Sequence, residues 1–190
     1  NGGPIMTVLT TPKGKAIFPH LTEADTMFHP EGLFHVKLEC LLAESQVLIK
    51  TIGDLITEQV VEAQKKTPDN TSGFKRAPLP YEILDDKVVF NFKMKAGGTR
   101  KKDGKSFTQK PVIVSADLTP FDEDKQIWGD SKLVINFEPY AWNMPIGIGC
   151  SLRLKSVQVI ELVTGKASNT LSGFEAEPVV EPKIKQEINL

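Results

Sequence analysis

In the stretch "CSLRLKSVQVIEL" (Cys150–Leu162), Leu152 and Leu154 keep one phase of a period-two alternation, and Val157 and Val159 keep the other. Successive strand side chains point to opposite faces, so a phase change within one apolar run predicts a β-bulge. A bulge bends and twists its strand, and a long bent strand suits a sheet that curls on itself better than a flat one. The segment "KLVINFE" (Lys132–Glu138) alternates just before it, with Leu133, Ile135 and Phe137 on the core side.

Two further segments alternate cleanly. In "GLFHVKLECLL" (Gly32–Leu42), Phe34, Val36, Leu38 and Cys40 share one face, and His35, Lys37 and Glu39 the other. In "KVVFNFKMKA" (Lys87–Ala96), Val88, Phe90, Phe92 and Met94 oppose Asn91, Lys93 and Lys95. Each reads as a strand with one buried and one solvated face. Shorter strands are expected at Gly14–Phe18, followed by a polar loop, and within "PVIVSAD". "GGTRKKDGKSF", with Gly97, Gly98 and Gly104, reads as a hairpin.

One helix is predicted over residues 46–66. Ile49, Ile52, Ile56, Val60 and Ala63 form a stripe at helical spacing, Ser45 is placed to cap it, and Lys65 and Lys66 suit its C-terminal dipole. Pro68 ends it, and residues 67–80 read as a loop. Short strands, a bulge and one flanking helix predict a mainly β chain: a partly open, five-to-six-stranded Greek-key barrel of the OB-fold class.

The 190 residues fit one domain. A flexible segment is expected over 1–13, with a tag remnant at 1–5, then the barrel over 14–166, and an extended or disordered tail over 167–190. Cys40 and Cys150 lie in apolar runs and read as buried thiols rather than a disulfide framework, which fits a reducing compartment. No apolar run approaches the ~20 residues of a membrane span.

Catalytic constellations are missing from the pattern. His20, His29 and His35 are the three histidines, and none is at metal-ligand spacing with a cysteine or a second histidine. Neither a G-x-S-x-G elbow nor a phosphate-binding G-x-x-x-x-G-K loop occurs. "GIGCSL" (Gly147–Leu152) leads into a strand, which rules out the dinucleotide fingerprint. The acids Asp122, Glu123, Asp124 and Asp130 read as a solvated loop. A non-enzymatic protein without a cofactor or metal is expected.

Charge is informative only through its distribution. The chain has 23 basic and 24 acidic residues, yet Lys93 to Lys110 holds seven cations against one acid, Asp103. One reading of such a hairpin is a solvated loop whose charges only keep a sheet edge from pairing. However, Lys93, Lys95, Arg153, Lys155 and Lys37 all oppose apolar residues on their own strands. Cations across the solvated face of a barrel suit a phosphate backbone.

The cluster "FEPYAWN" raises a question of parity. If the strand continues through Pro139 without a slip, Tyr140 and Trp142 leave the core side. A slip at the proline would return them to it. Exposed rings beside cations suit the bases of single-stranded nucleic acid. Candidate base-stacking residues are Tyr140, Trp142 and Phe107, and candidate phosphate contacts are Lys93, Lys95, Arg100, Lys101, Lys102, Lys105, Arg153 and Lys155. Trp128 is a further aromatic next to a loop. An OB barrel that reads protein in the replication machinery, or one that stacks sugars, would use some of the same features.

These residues carry a resemblance. "GDSKLVINFEPYAWNMPIGIGCSLRLKSVQVIEL" resembles the phage T7-type single-stranded DNA-binding protein family through Ser131–Lys132–Leu133, Pro139–Tyr140–x–Trp142–Asn143, Gly147 and the closing Ser156–Val157 and Glu161–Leu162. "HPEGLFHVKLE" and "KRAPLPYE" match more loosely and in the right order. The resemblance implies an OB-fold with one helix, sequence-tolerant single-stranded DNA binding in phage replication and recombination, and a place in the host-cell cytoplasm. It puts Tyr140 and Trp142 at the family's aromatic positions. It also implies phage DNA polymerase and helicase–primase as partners, and a homodimer. The end departs from the family's strongly acidic tail with a terminal aromatic. "GFEAEPVVEPKIKQEINL" has Glu175, Glu177, Glu181 and Glu187 against Lys183 and Lys185, and stops at Leu190. Either such a tail has been removed or this member lacks it.

Overall fold

The computed structural model describes residues 7–164. The strands are β1 (Leu9–Thr10), β2 (Gly14–Asp25), β3 (Leu33–Leu41), β4 (Tyr81–Leu84), β5 (Lys87–Lys95), β6 (Gly97–Thr99), β7 (Ser106–Thr108), β8 (Val112–Ser115), β9 (Lys132–Met144) and β10 (Gly147–Glu161). A 3-10 turn at Leu42–Glu44 leads into the helix α1 (Gln46–Lys66). Hydrogen-bonded neighbours run β1-β9-β2-β3-β5-β10-β8, and β10 pairs back onto β9. The ring β9-β2-β3-β5-β10 is therefore closed. Its tightest wall is the antiparallel ribbon of β9 and β10. Its narrow seams are β2 with β9, at Gly14 and Lys15, and the parallel contact of β5 with β10.

The barrel is filled by the residues that the alternation puts inward. Val36, Leu38, Val88, Phe90, Phe92, Leu133, Ile135 and Phe137 are fully buried. The rings of Phe92 and Phe137 meet with centroids 5.0 Å apart. β10 carries the expected bulge: its register to β9 shifts between Leu154 and Ser156, so Leu152, Leu154, Val157 and Val159 all reach the core.

Helix α1 has the expected limits and packs on β9 and β10. Ile52 and Ala63 are buried, Ile49 and Ile56 pack partly on the core, and Leu48 joins them. Ser45 starts the helix through its carbonyl, but its hydroxyl donates back to the Leu41 carbonyl at 2.8 Å instead of capping an N–H.

Two expectations are corrected. β2 does not stop at Phe18. It runs to Asp25, and its alternation is hidden because Phe18 has a φ of 47° and the register to β3 shifts between Ile17 and His20. Within the segment read as a flexible lead-in, residues 9–11 are tied to the sheet: Leu9 and Thr10 pair with Phe137 and Asn136, and the Thr11 N–H donates to the Ile135 carbonyl. The expected tag remnant and the tail over 167–190 lie outside the described residues. Cys40 and Cys150 are buried free thiols. No helix among the described residues is long and apolar enough to cross a membrane.

Candidate nucleic-acid interface

The position of Tyr140 and Trp142 depends on Pro139. Ile135 uses both its N–H and its carbonyl toward Thr11, so the odd-numbered residues of β9 direct their backbone groups to the β1 side. Pro139 has that parity, and β1 has ended before it is reached. The missing N–H therefore costs no ladder bond, and β9 continues without a slip. Pairing runs unbroken through Pro139 with Leu152, Tyr140 with Ser151, Ala141 with Cys150 and Trp142 with Gly149. The compensating bulge is in β10. Both rings thus stand on the outer face.

There each ring is held by a residue of β10. The Arg153 guanidinium lies over the Tyr140 ring, 3.9 Å from its centroid, while Tyr140 stays 40 % exposed. The Trp142 indole N–H donates to the Ser151 hydroxyl at 2.9 Å. The indole also lies against Gly149, where an added Cβ would sit 2.8 Å from its ring carbons. Glycine is needed for this close approach. Arg153 is in turn the parallel-strand neighbour of Lys93.

These side chains border a groove of about 1120 Å³ that contains Lys93, Lys95, Phe107, Trp142, Arg153 and Lys155. The Phe107 ring enters it from the base of the β6–β7 hairpin, resting 3.3 Å from where Gly98 would carry a Cβ. That base is pinned to the end of β5, because Gln109 donates through its side chain to the Lys95 carbonyl and through its N–H to that of Ala96. Of the expected contacts, these six line the groove, and Tyr140 joins them through Arg153. Arg100, Lys101, Lys102 and Lys105 do not line it. They occupy the exposed tip of the hairpin, where Arg100 is 3.5 Å from Asp103.

The cations differ in availability. Lys155 is 3.3 Å from Glu138, a half-buried carboxylate on the same face. Among the described residues, Lys93, Lys95 and Arg153 have no carboxylate within 4.0 Å. They supply the unspent charge of the groove.

Three features were not apparent from sequence. Leu79 and Ile146 place exposed apolar side chains at the groove's rim, and the "PLP" turn is the one hint of the first. His20, Asp25 and His35, far apart in pattern terms, are gathered by the β2–β3 hairpin. Trp128 borders a separate hollow of about 550 Å³ between β2 and residues 126–130, which includes none of the expected contacts.

No family model matches the chain. It is 28 % identical over 152 residues to the single-stranded DNA-binding protein of Enterobacteria phage T3, covering 72 % of this chain and 65 % of that protein. It is 29 % identical over 113 residues to the protein of the same name from Escherichia phage T7, covering 55 % and 49 %. The chain thus spans about two thirds and about half of those curated relatives. Its fold matches the crystal structure of the single-stranded DNA-binding protein encoded by bacteriophage T7 with a TM-score of 0.74, at 23 % identity, over 93 % of this chain and 99 % of that one. By sequence and by fold, the chain is similar to the T7-type phage single-stranded DNA-binding proteins. A single-stranded DNA-binding protein from bacteriophage Enc34, solved in complex with single-stranded DNA, has the same fold at a TM-score of 0.55 and 12 % identity, over 83 % of this chain and 88 % of that one. The resemblance and the OB-like fold expected of a T7-type relative therefore both hold.

Proposed function

We propose that this protein binds single-stranded DNA with little sequence preference in phage replication and recombination, inside the host cell and without catalysing a reaction. The observation that carries this reading is the continuous row Lys93–Arg153–Tyr140 beside Trp142 on one open face of the barrel. The unpaired cations would hold phosphates, and Tyr140, Trp142 and Phe107 would each stack a base. Arg100, Lys101, Lys102 and Lys105, on the hairpin tip, would add phosphate contacts where the strand leaves the groove. Lys155 would contribute less while Glu138 holds it.

The names of the T3 and T7 relatives support the same assignment. Docking to phage DNA polymerase or helicase–primase, and pairing into a homodimer, remain proposals implied by the family likeness.

Fluorescence titration with oligo-dT, beside gel shifts of single-stranded and duplex DNA at two salt concentrations, tests the reading. Quenching of tryptophan emission, preference for the single strand and weakening with salt are expected. A protein-reading scaffold would give no quenching. A sugar-binding barrel would bind its ligand without salt dependence.

A further inference from the structure

We propose that His20, Asp25 and His35 form a binding site for a divalent transition-metal ion of the zinc class. His20 and His35 are direct cross-strand partners on β2 and β3, with ring centroids 4.6 Å apart. Asp25, where β2 ends, brings its Oδ2 to 3.0 Å from His35 Nε2. The three ligand atoms all lie within 4.8 Å of one another.

Local irregularity builds this cluster. The register of β2 to β3 shifts on both sides of His20, between Ile17 and His20 and between His20 and Asp25. Such irregularities re-aim side chains that regular alternation would send elsewhere. Asp25 is also oriented from behind: its Oδ1 accepts the Met27 N–H at 2.9 Å, which leaves Oδ2 toward the imidazoles. Support of that kind around a ligating carboxylate is a common feature of metal sites.

The donor set selects the ion. Two imidazoles and one carboxylate suit zinc, cobalt or nickel, whereas magnesium prefers oxygen ligands throughout. Tetrahedral ligands at about 2.0–2.2 Å from zinc stand roughly 3.3–3.5 Å apart, so the cluster must contract by about 1.5 Å at most. His20 is exposed and His35 and Asp25 are half-buried, so the side chain that must move is the free one. With three protein ligands, the fourth position is left to water. Two lysines of β5 flank the site in register, Lys93 beside His35 and Lys95 beside Leu33, the partner of Asp25. A bound ion would raise the positive potential at the edge of the groove. It would also tie the far end of β2 to β3, stiffening the hairpin that reaches the groove's rim.

The test uses untagged protein stripped with chelator, without DNA, so its outcome is separate from that of the DNA-binding reading. Cobalt is added and its visible absorption recorded; zinc is then titrated calorimetrically, and melting is followed with zinc or magnesium. The expected result is a tetrahedral cobalt spectrum, one zinc per chain and a rise in Tm with zinc alone. His20→Ala and Asp25→Asn, each checked for folding by circular dichroism, should weaken zinc binding at least tenfold, and His29→Ala should leave it intact. Absence of a cobalt band and of zinc heat in the wild type overturns the proposal. So does zinc binding that survives both substitutions.

Discussion

The Arg153 guanidinium covers the Tyr140 ring at 3.9 Å, joining the residue expected to hold a phosphate to one expected to hold a base. A cation over an exposed ring is worth about 0.5–1 kcal/mol, which biases the phenol toward this orientation before any strand arrives. Stacking one base on an aromatic contributes about 1–3 kcal/mol. Tyr140→Ala should therefore weaken oligo-dT binding by about 5- to 150-fold, with Tyr140→Phe near wild type, as read by fluorescence titration. An unchanged affinity for Tyr140→Ala would remove this ring from the interface.

Gly149 offers a way to move Trp142 without changing it. A methyl at that position would lie 2.8 Å from the indole and 2.9 Å from the Ala77 Cβ. The strand can hold alanine there only by lifting the ring from β10, which also strains the Ser151 hydrogen bond. Gly149→Ala should reduce oligo-dT affinity about as much as Trp142→Ala. A fall in melting temperature without any loss of affinity would instead show that the ring's seat is structural.

The groove's lysines make a prediction about sign. For a single strand, each phosphate contact steepens the fall of log affinity with log salt by about 0.7. Lys93→Gln combined with Lys95→Gln should make that fall shallower by about 1.4. Glu138→Gln should do the opposite to affinity: it removes a negative charge from the face and releases Lys155 from its 3.3 Å ion pair. Tighter binding at low salt, converging on wild type at high salt, is the expected measurement. Weaker binding would mean that Glu138 is needed to position Lys155.

Residues whose fate depends on strand parity were legible in advance. The slip between Leu154 and Ser156 is written in the apolar pattern, and plain alternation with the buried residues of β5 and β10 places Lys93 and Arg153 outside. Even so, the outward course of Tyr140 and Trp142 turned on whether Pro139 faces an unpartnered edge, which depends on where β1 ends. β2 was read short because a left-handed Phe18 and the following proline interrupt its alternation. The pairing of Lys155 with Glu138, and the meeting of His20, Asp25 and His35, arise from register between strands. Spacing along one strand does not carry that information. The hairpin's charge was plain from sequence, but its tip's position outside the groove was not.

The two cysteines give the last prediction. Burial is the main reason the Cys40 thiol is pushed up to about 12, with Glu44 and Glu39 adding to it. Burial likewise pushes Cys150 up to about 11, against a small opposing hydrogen bond from the Tyr140 backbone. An unfolded chain ionises its thiols near about 8.5. Both folded values are raised, so their contribution to stability is complete below that pH and is lost as pH rises toward 11 and 12. Neither thiol should react with a disulfide reagent at pH 8 until the protein unfolds. The midpoint of urea unfolding should fall more steeply between pH 8 and pH 10.5 in the wild type than in a Cys40→Ala, Cys150→Ala variant, whatever other groups titrate in both. Equal slopes, or prompt labelling of the native protein, would mean that solvent reaches the thiols and that the barrel opens where Cys40 and Cys150 are packed.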